Sequence, residues 1–392
     1  MSVPITCIED LRVLAKKRIP RMFYDYVDTG SYTESTYRAN EADFRKIRLR
    51  QRVGVDISNR NLRTTMAGQD VAMPVALAPT GLVGMMRADG EILAARAARH
   101  FGVPFTLSTM SICSIEDIVA HVGGPFWFQL YMMRDRAFIE RLIERASAAG
   151  CPALVLTMDL QIAGQRHKDV KNGLSAPPRI TLPNLLDMMR KPGWCLGMAR
   201  TRRRHFGNIV GHVKGVTDMW SLDSWTREQF DPTIGWRDAE WVRRRWNGKL
   251  IVKGVLDADD ALRADDALRA DDALRAADAG ADAIVVSNHG GRQLDGAMSS
   301  VEALPAIVEA AGKRVEVWLD GGVRTGQDVL KAVALGARGT MIGRAFLYGV
   351  AALGEQGARR ALELIARELD TTMALCGCTD IRSVNADVLA RR

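Results

Sequence analysis

The chain has 392 residues, of which 47% are hydrophobic and 26% are charged, and it carries a formal net charge of +8. This composition excludes an intrinsically disordered chain, and no apolar run approaches the roughly 20 residues that a membrane-spanning helix needs. The positive charge leaves nucleic acid, an anionic membrane surface and anionic small molecules as candidate partners, and its distribution along the chain discriminates between them.

The first 20 residues contain acidic and basic side chains where a signal peptide would have an uninterrupted apolar core, so we expect a cytoplasmic protein. The six cysteines are scattered without the spacing of a disulfide framework, which suits a reducing compartment. Cys376 and Cys378 are the only close pair in the sequence, and no second pair or nearby histidine completes a tetrahedral set. We therefore predict no metal site.

Residues 7–28 form the first predicted element, a helical stretch. An arginine-rich segment follows, and its glycine, asparagine and alternating pattern predicts a small hairpin near residues 48–72. Both are too short to be a domain, so we expect a helical lid and a plug on a larger body.

From residue 75 onward, short apolar runs alternate with helical stretches that are rich in Ala, Leu, Glu and Arg and end in glycine. The apolar runs are "VALAP", "FTLS", "WFQLY", "ALVLTMD", "LIVKG", "AIVVSN", "VEVWLDGG" and "GTMIGR". Continuous apolar strands that alternate with helices indicate a parallel sheet covered by helices. Eight such units predict a single domain, residues 1–392, with an α/β fold of the (β/α)8 TIM-barrel type at about residues 75–370.

The connection after the fourth strand is unusually long, from Leu160 to about Ile234, and loops of that length in a compact domain are usually functional. Its residues 176–215 carry eight Lys or Arg against one acid, Asp187, interleaved with Leu, Met and Trp. This mixture fits a segment that lies on an anionic membrane surface. A solvated basic loop or an oligomer contact fits about equally well, and nucleic acid fits less well because no binding motif accompanies the charge.

Residues 259–276 repeat the hexapeptide "DDALRA" three times after the fifth strand. A period of six on a helix of 3.6 residues per turn points each copy in a different direction, so only one copy can dock on the barrel as an ordinary helix. The other two copies are expected to protrude from the outside of the barrel.

The sixth strand runs into "SNHGGRQLDG", which contains His289 and Arg292. A lone histidine at a strand end is commonly a hydrogen-bonded turn residue, but in this barrel all eight predicted strand ends carry polar residues. Because the carboxyl ends of barrel strands form the active site, we predict a catalytic role for His289.

Two further strand-end features indicate anionic ligands. The glycines and arginines of "DGGVRTG" and "IGRAF" follow strands seven and eight, where barrels commonly bind a phosphate. Lys253 ends an otherwise apolar strand and is costly to bury unless it faces an anion. Arg166 and Arg292 could form bidentate pairs with a carboxylate.

Together the motifs "FYDY", "APTG", "FQLY", "LTMD", "LIVKG", "SNHGGRQLDG", "LDGGVRTGQDVLKAVALGARGTMIGR" and "TMALCG" resemble, in this order, the FMN-dependent 2-hydroxy-acid oxidising enzymes. The resemblance is strongest to the L-lactate and mandelate dehydrogenase branch, and "SNHGGRQLDG" is its most specific part. The sequence departs from the family pattern at three places. Thr109-Met110 replaces an aromatic residue, "DLQIAGQR" replaces a loop that contains proline and arginine, and the hexapeptide repeat is foreign to the pattern.

The resemblance implies roles for named residues. His289 would be the active-site base, oriented by Asp159. The substrate's carboxylate and hydroxyl would be held by Tyr26, Tyr131, Arg166 and Arg292. FMN would be contacted by Thr80, Gly81, Ser108, Gln129, Thr157 and Ser287, by Lys253 beside the flavin N1 and O2, and by Asp320, Gly321, Gly322, Arg324, Gly343 and Arg344 along the ribityl chain and phosphate.

We therefore predict an FMN-dependent dehydrogenase of L-lactate or a similar small 2-hydroxy acid. It would be a homotetramer, peripheral on the cytoplasmic face of a membrane, and would pass electrons to quinone or another carrier.

An oxidase that uses oxygen would have the same catalytic residues. An IMP dehydrogenase-like barrel shares the DGG pattern but needs a nucleophilic cysteine, and no cysteine ends strands five to eight. A flavin-binding relative disabled by the repeat is the non-enzymatic alternative.

Overall fold

The computed structural model describes residues 4–174, 181–213, 229, 231–262 and 280–390. Three helices come first, α1 (Ile8–Arg18), α2 (Arg21–Val27) and α3 (Ser35–Lys46). Asp10 accepts hydrogen bonds from the backbone N–H groups of Thr6 and Cys7 and so satisfies donors at the start of α1. The predicted helical stretch is thus two helices, which Ile19 and Pro20 separate.

The predicted hairpin is present as β1 (Thr64–Met66) and β2 (Gln69–Val71). Its two-residue turn has positive φ at both positions, +48° at Ala67 and +74° at Gly68, which matches the right-handed twist of a hairpin. The apolar side chains of the hairpin pack with the stacked rings of Trp127 and Trp318 in a small cluster. The hairpin therefore plugs the amino-terminal end of the barrel.

Eight parallel strands form the described sheet, and each coincides with one of the predicted apolar runs. They are β3 (Val75–Leu77), β4 (Thr106–Ser108), β5 (Trp127–Tyr131), β6 (Ala153–Thr157), β7 (Lys249–Val255), β8 (Ala283–Val286), β9 (Glu316–Asp320) and β10 (Gly339–Ile342). Their order is β3-β10-β9-β8-β7-β6-β5-β4, and a parallel bridge between Leu77 and Phe105 joins the two ends of the sheet. The predicted (β/α)8 barrel is confirmed.

Helices surround the strands and bury apolar side chains against the sheet and against one another. They are α4 (Val83–Met86), α5 (Gly90–Phe101), α6 (Ile115–Val122), α7 (Arg136–Ala148), α11 (Trp236–Arg243), α12 (Ser300–Ala311), α13 (Gly326–Ala334), α14 (Arg344–Leu353) and α15 (Glu355–Leu375). Two short 3-10 helices, Ile381–Ser383 and Ala386–Val388, follow. The large core lies between these helices and the strands, where the apolar faces of both are buried.

The long connection after β6 contains α8 (His167–Lys171), α9 (Leu182–Met189) and α10 (Pro192–Arg200). Trp194 fixes α10 to the body, because its indole N–H donates to the carbonyl of Met85 at 2.8 Å and its ring lies 5.6 Å from that of Phe23. Helix α9 has no buried residue. Within the described ranges, no helix is long and apolar enough to cross a membrane.

Parts of two sequence predictions lie outside the described residues. Only the first four residues of the hexapeptide repeat, 259–262, are described. Residues 176–180 and 214–215 of the basic segment are also outside them.

Candidate functional site

The carboxyl ends of the strands surround a cavity of about 320 Å³, which we call the strand-end cavity. Fourteen of the predicted site residues line it. They are Tyr26, Thr80, Gly81, Tyr131, Arg166, Lys253, His289, Arg292, Asp320, Gly321, Gly322, Arg324, Gly343 and Arg344. The other five predicted residues lie at the same strand ends. Ser108 and Gln129 bond to each other, and Thr157 pairs with Tyr131 in the sheet. Ser287 bonds to Lys253, and Asp159 bonds to His289. The structure therefore assembles the predicted set at one end of the barrel.

His289 follows β8 in an unusual backbone conformation, with φ of +58°. The hydroxyl of Ser287 accepts a hydrogen bond from the His289 backbone N–H at 3.1 Å, and the side chain of Asn288 accepts one from the N–H of Gly291 at 3.0 Å. Gly291 has no room for a side chain, because a Cβ there would lie 2.5 Å from the backbone nitrogen of Tyr37. This tight turn directs the imidazole into the strand-end cavity.

Asp159 lies at the end of β6, next to His289. Its Oδ1 is 2.9 Å from Nδ1 of the imidazole. Burial alone would raise the pKa of Asp159, but the charge and hydrogen bond of His289 and the charge of Lys253 lower it below its usual value. Asp159 is therefore ionised at neutral pH, and it favours the tautomer with the proton on Nδ1, so that Nε2 can accept a proton.

Arg292 and Arg166 form the cationic wall of the strand-end cavity. The Arg292 guanidinium lies 4.6 Å from the centre of the Tyr26 ring and that of Arg166 lies 5.8 Å from it. Burial and the charge of Arg166 lower the pKa of Arg292 to about 10. Two cations held this close in a buried site are stabilised by an anion, and a carboxylate has the matching geometry.

Asp169, in α8, is a site residue that the sequence reading missed. Its carboxylate accepts a hydrogen bond from Nε of Arg166 at 2.6 Å and lies 3.9 Å from Nη2 of Arg292. It is buried, with 4% of its surface exposed. The spacing of three residues from Arg166 was a weak signal, because such pairs are common on helix surfaces. Asp169 therefore positions the two arginines and does not itself line the strand-end cavity.

Lys253 ends the apolar part of β7 and is 4% exposed. Its Nζ lies 2.8 Å from Oδ2 of Asp320 and donates to the hydroxyl of Ser287 at 2.9 Å. Burial would lower the pKa of Lys253, but the charges of Asp320 and Asp159 raise it above its usual value. A fixed positive charge thus lies on the floor of the strand-end cavity.

Three buried polar side chains lie at the ends of β4, β5 and β6. The hydroxyl of Ser108 donates to Oε1 of Gln129 at 2.9 Å. Among the described residues, neither Nε2 of Gln129 nor the hydroxyl of Thr157 has a hydrogen-bond partner, although both atoms are buried. Buried polar atoms normally have partners. These two fit a ligand with hydrogen-bonding edges, as the flavin ring system has.

The other end of the strand-end cavity fits a phosphate. Helix α14 begins at Arg344, directly after Gly343, and the first N–H groups of a helix attract anions. Arg344 is held in place because its guanidinium donates to the carbonyls of Val27 and Thr29, both at 2.7 Å. Arg324 lies on the same side, 2.9 Å from Glu41. The residues present therefore fit FMN: Lys253 would contact its ring system, and the start of α14 would bind its phosphate.

The N-terminal segment closes this site through a pair of amides that the sequence reading also missed. Asn40 of α3 and Asn288 exchange two hydrogen bonds, both 2.8 Å long. The backbone of Asn40 packs on Gly322, because a Cβ added at Gly322 would lie 2.0 Å from the carbonyl oxygen of Asn40. Helix α3 therefore supports the wall of the strand-end cavity.

Comparison with known proteins gives a consistent result. The sequence profile of a family described as FMN-dependent dehydrogenase matches residues 15–391. An L-lactate dehydrogenase of Caulobacter vibrioides (strain NA1000 / CB15N) is 45% identical over 389 residues, which cover 99% of this chain and 98% of the relative.

Solved structures are also similar over the whole chain. The crystal structure of the monotopic membrane protein (S)-mandelate dehydrogenase has a TM-score of 0.91 and 36% identity, and the match covers 100% of both chains. Mandelate oxidase with (S)-2-phenylpropionate has a TM-score of 0.80 and 34% identity, with 99% of both chains covered.

Proposed function

The chain belongs to the family of FMN-dependent dehydrogenases and is an FMN-dependent 2-hydroxy-acid dehydrogenase, and from this premise we propose that it oxidises L-lactate to pyruvate. The observation that carries the proposal is the arrangement of the strand-end cavity, which is lined by His289 and by the cations Arg166 and Arg292, with Asp159 bonded to His289 behind it. The full-length similarity to an L-lactate dehydrogenase supports lactate as the substrate.

The oxidation of a 2-hydroxy acid to a 2-oxo acid releases two electrons and two protons. FMN, when bound, supplies the acceptor for the two electrons. His289 would accept one proton at Nε2, because Nδ1 is engaged by Asp159. The ionised carboxylate of Asp159 would stabilise the imidazolium that results.

Arg292 and Arg166 would bind the substrate carboxylate, with Tyr26 and Tyr131 beside it. Burial and the charge of Asp159 raise the pKa of Tyr131, so its hydroxyl keeps its proton and can donate to the substrate at neutral pH. With the carboxylate fixed in this way, the hydroxyl-bearing carbon would face His289. Orientation of this kind is a large part of enzymatic rate acceleration.

The visible absorption spectrum of the purified protein tests the proposal. We expect a flavin band that bleaches when L-lactate is added without oxygen and that persists with D-lactate. A protein that binds flavin but is bleached only by another L-2-hydroxy acid would contradict lactate as the substrate. No bleaching by any 2-hydroxy acid would support the inactive, flavin-binding alternative.

We further propose that the enzyme binds the cytoplasmic face of a membrane and passes electrons to quinone or another membrane carrier. Five exposed apolar side chains on α9 and α10 support this, namely Leu182, Leu185, Leu186, Met189 and Leu196. Exposed arginines flank them, which favours an anionic surface. A structurally similar protein is described as a monotopic membrane protein.

Two measurements test the finer parts of this proposal. Co-sedimentation with anionic vesicles at low salt is expected, and its absence would contradict membrane binding. Fast re-oxidation of the reduced protein by a soluble quinone, and slow re-oxidation by oxygen, would favour the dehydrogenase over the oxidase. The family resemblance also implies a homotetramer, which light scattering of the eluting protein would check.

A further inference from the structure

The end of the long connection after β6 is built into the loop that follows β4. The backbone N–H of Gly207 donates to the carbonyl of Ser111 at 3.1 Å. A Cβ at Gly207 would lie 2.7 Å from the carbonyl oxygen of Ile112 and 2.7 Å from the nitrogen of Ser114, so the two backbones touch. This contact holds residues 206–208 in a fixed position relative to the strand-end cavity.

Asn208 strengthens the same contact. It is fully buried, and its side-chain amide donates to the carbonyl of Ser108 at 3.2 Å and to the hydroxyl of Ser111 at 3.0 Å. Its Oδ1 accepts a hydrogen bond from the backbone N–H of Ile115 at 3.0 Å. A buried amide with these three hydrogen bonds would be costly to pull away. Residue 206 therefore has little freedom to move.

Phe206, one residue before this clamp, lines the strand-end cavity. The cavity lining divides into a polar part, which contains His289 and the two arginines, and an apolar part. The apolar part of the lining includes Met110, Leu160, Ala163, Leu174 and Phe206. Phe206 is the one aromatic ring among these five, and it comes from the segment that also carries the exposed apolar face of α9.

A 2-hydroxy acid has three groups on its reacting carbon besides hydrogen. If the carboxylate binds the arginines and the hydroxyl faces His289, as in the proposed function on which this step rests, the side chain has to face the apolar part. The side chain of L-lactate is a methyl group, which is too small to contact more than a fraction of this apolar part. A rigidly held aromatic ring in that wall excludes larger side chains by its volume.

We propose that Phe206 is a specificity-determining residue, which limits the size of the substrate side chain and is held in place by the Gly207–Asn208 clamp. The long connection would then have two roles. Its middle part forms the exposed apolar face, and its end forms a wall of the substrate site.

Selectivity between a short and a long substrate tests the proposal. In Phe206→Ala we expect the ratio of kcat/KM for L-2-hydroxyoctanoate to that for L-lactate to rise about 10-fold or more over the wild-type ratio, because pocket contacts of this size discriminate by factors of that order. Phe206→Trp should lower the ratio. The affinities for pyruvate and 2-oxo-octanoate, measured by perturbation of the flavin spectrum, should shift in the same direction without turnover.

Ile209→Ala is the matched control. Ile209 is fully buried in the core, its backbone N–H donates to the carbonyl of Phe206 at 3.0 Å, and it does not line the strand-end cavity. If loosening of the segment were enough, Ile209→Ala would change the ratio as much as Phe206→Ala does. That result, or an unchanged ratio in Phe206→Ala, overturns the proposal.

The two proposals fail in different ways. A wild-type protein that is not reduced by any 2-hydroxy acid overturns the proposed function and this inference together. A wild-type protein that oxidises L-lactate, with a Phe206→Ala variant of unchanged selectivity and unchanged flavin content, overturns this inference alone.

Discussion

His289 combines an uncommon backbone conformation with a fixed ring orientation. Its backbone has a positive φ, which is uncommon outside glycine and costs on the order of 1 kcal/mol, and its ring is fixed by a buried carboxylate. The Ser287 hydroxyl and the Asn288 side chain hold this conformation, because they accept hydrogen bonds from the backbone N–H groups of His289 and Gly291. Strain that is maintained by several neighbours is typical of functional sites, and here it directs Nε2 into the strand-end cavity.

His289→Ala is expected to bind FMN but to lose reduction by substrate. The histidine is not among the residues predicted to contact the flavin, and loss of a positioned base typically lowers the rate by about 10²–10⁴-fold. Anaerobic stopped-flow reduction by L-lactate measures this rate. His121→Ala, which changes an exposed histidine on α6, is the control and should reduce normally. Reduction of His289→Ala at the wild-type rate would remove the residue from the mechanism.

Asp159→Asn should lower the rate of reduction and leave the FMN content unchanged. The neutral amide cannot stabilise the imidazolium that forms when His289 accepts a proton, so we expect the rate to fall about 10²-fold or more. Anaerobic stopped-flow reduction by L-lactate measures the rate, and the visible spectrum measures the bound FMN. Reduction at the wild-type rate would show that the charge of Asp159 has no part in the reaction.

Helix α9 presents its apolar residues on one face, and that face points to solvent. Leu182, Leu185, Leu186 and Met189 are spaced as i, i+3, i+4 and i+7, which places them along one side of a helix. Asp187 fixes the opposite side, because its carboxylate accepts a hydrogen bond at 2.6 Å from the backbone N–H of Arg21 at the start of α2. An apolar stripe on a helix normally packs against the core, so its exposure here indicates a binding surface.

The triple variant Leu185→Gln, Leu186→Gln and Met189→Gln should lose membrane binding while keeping activity. Removal of three apolar side chains is expected to lower the partition onto anionic vesicles by about 10-fold or more. Turnover with a soluble dye should be unchanged, because none of the three lines the strand-end cavity.

Val119→Gln is the control for this surface, since Val119 on α6 is 47% exposed, as Leu185 is. It should bind vesicles like the wild type, and high salt should weaken the binding of both by screening the arginines. Equal vesicle binding by the triple variant and the wild type would contradict the assignment of the membrane surface to α9.

At the scale of the whole molecule, Asp28 ties the N-terminal helices to the barrel. Its carboxylate accepts hydrogen bonds from Arg12 at 2.9 Å and 3.0 Å, from Tyr24 at 2.9 Å and from Tyr348 of α14 at 2.6 Å. Burial would raise the pKa of Asp28, but the hydrogen bonds from Arg12 and Tyr348 outweigh burial and lower it. The site is therefore closed by long-range polar contacts as well as by apolar packing.

Asp28→Asn should lower the free energy of unfolding by roughly 1–3 kcal/mol, because one acceptor oxygen and the charge facing Arg12 are lost. Because the folded-state pKa is lowered, the contribution of the charge is present above the unfolded pKa of about 3.9 and is lost as the pH falls through the folded value. Urea denaturation should give a constant difference between pH 5 and 7 and a smaller one below about pH 4. Asp70→Asn in β2, an exposed position, should show no difference.

Deletion of residues 265–276 tests the hexapeptide repeat, most of which lies outside the described residues. The deletion leaves one copy and removes 12 residues, which would add about 18 Å of length if they continued a helix and which an ordinary connection between β7 and β8 does not need. We expect unchanged FMN content and turnover and an equal or higher melting temperature. Loss of flavin or activity would show that the repeat has acquired a role in the site.

The sequence alone determined the barrel and the candidate residues at its strand ends. Each strand is a continuous apolar run and each intervening helix has its own periodicity, so eight units could be recognised from local pattern. In a parallel barrel all carboxyl ends lie on one side, which brings together residues as distant as Thr80 and Arg344 without further information. The order of the family motifs added the cofactor.

Only the tertiary structure decided which side chains support and limit the site. Asn208 bonds to Ser108 across 100 residues of sequence, and Asn40 bonds to Asn288 across 248. Asp169 and Phe206 lie in a connection whose path over the barrel has no periodic signal. The local sequence pattern predicts whether a residue is buried, but the residue that it contacts depends on the tertiary fold. An amide or an aromatic ring has the same sequence pattern whether it lies in the core or in the wall of a substrate site.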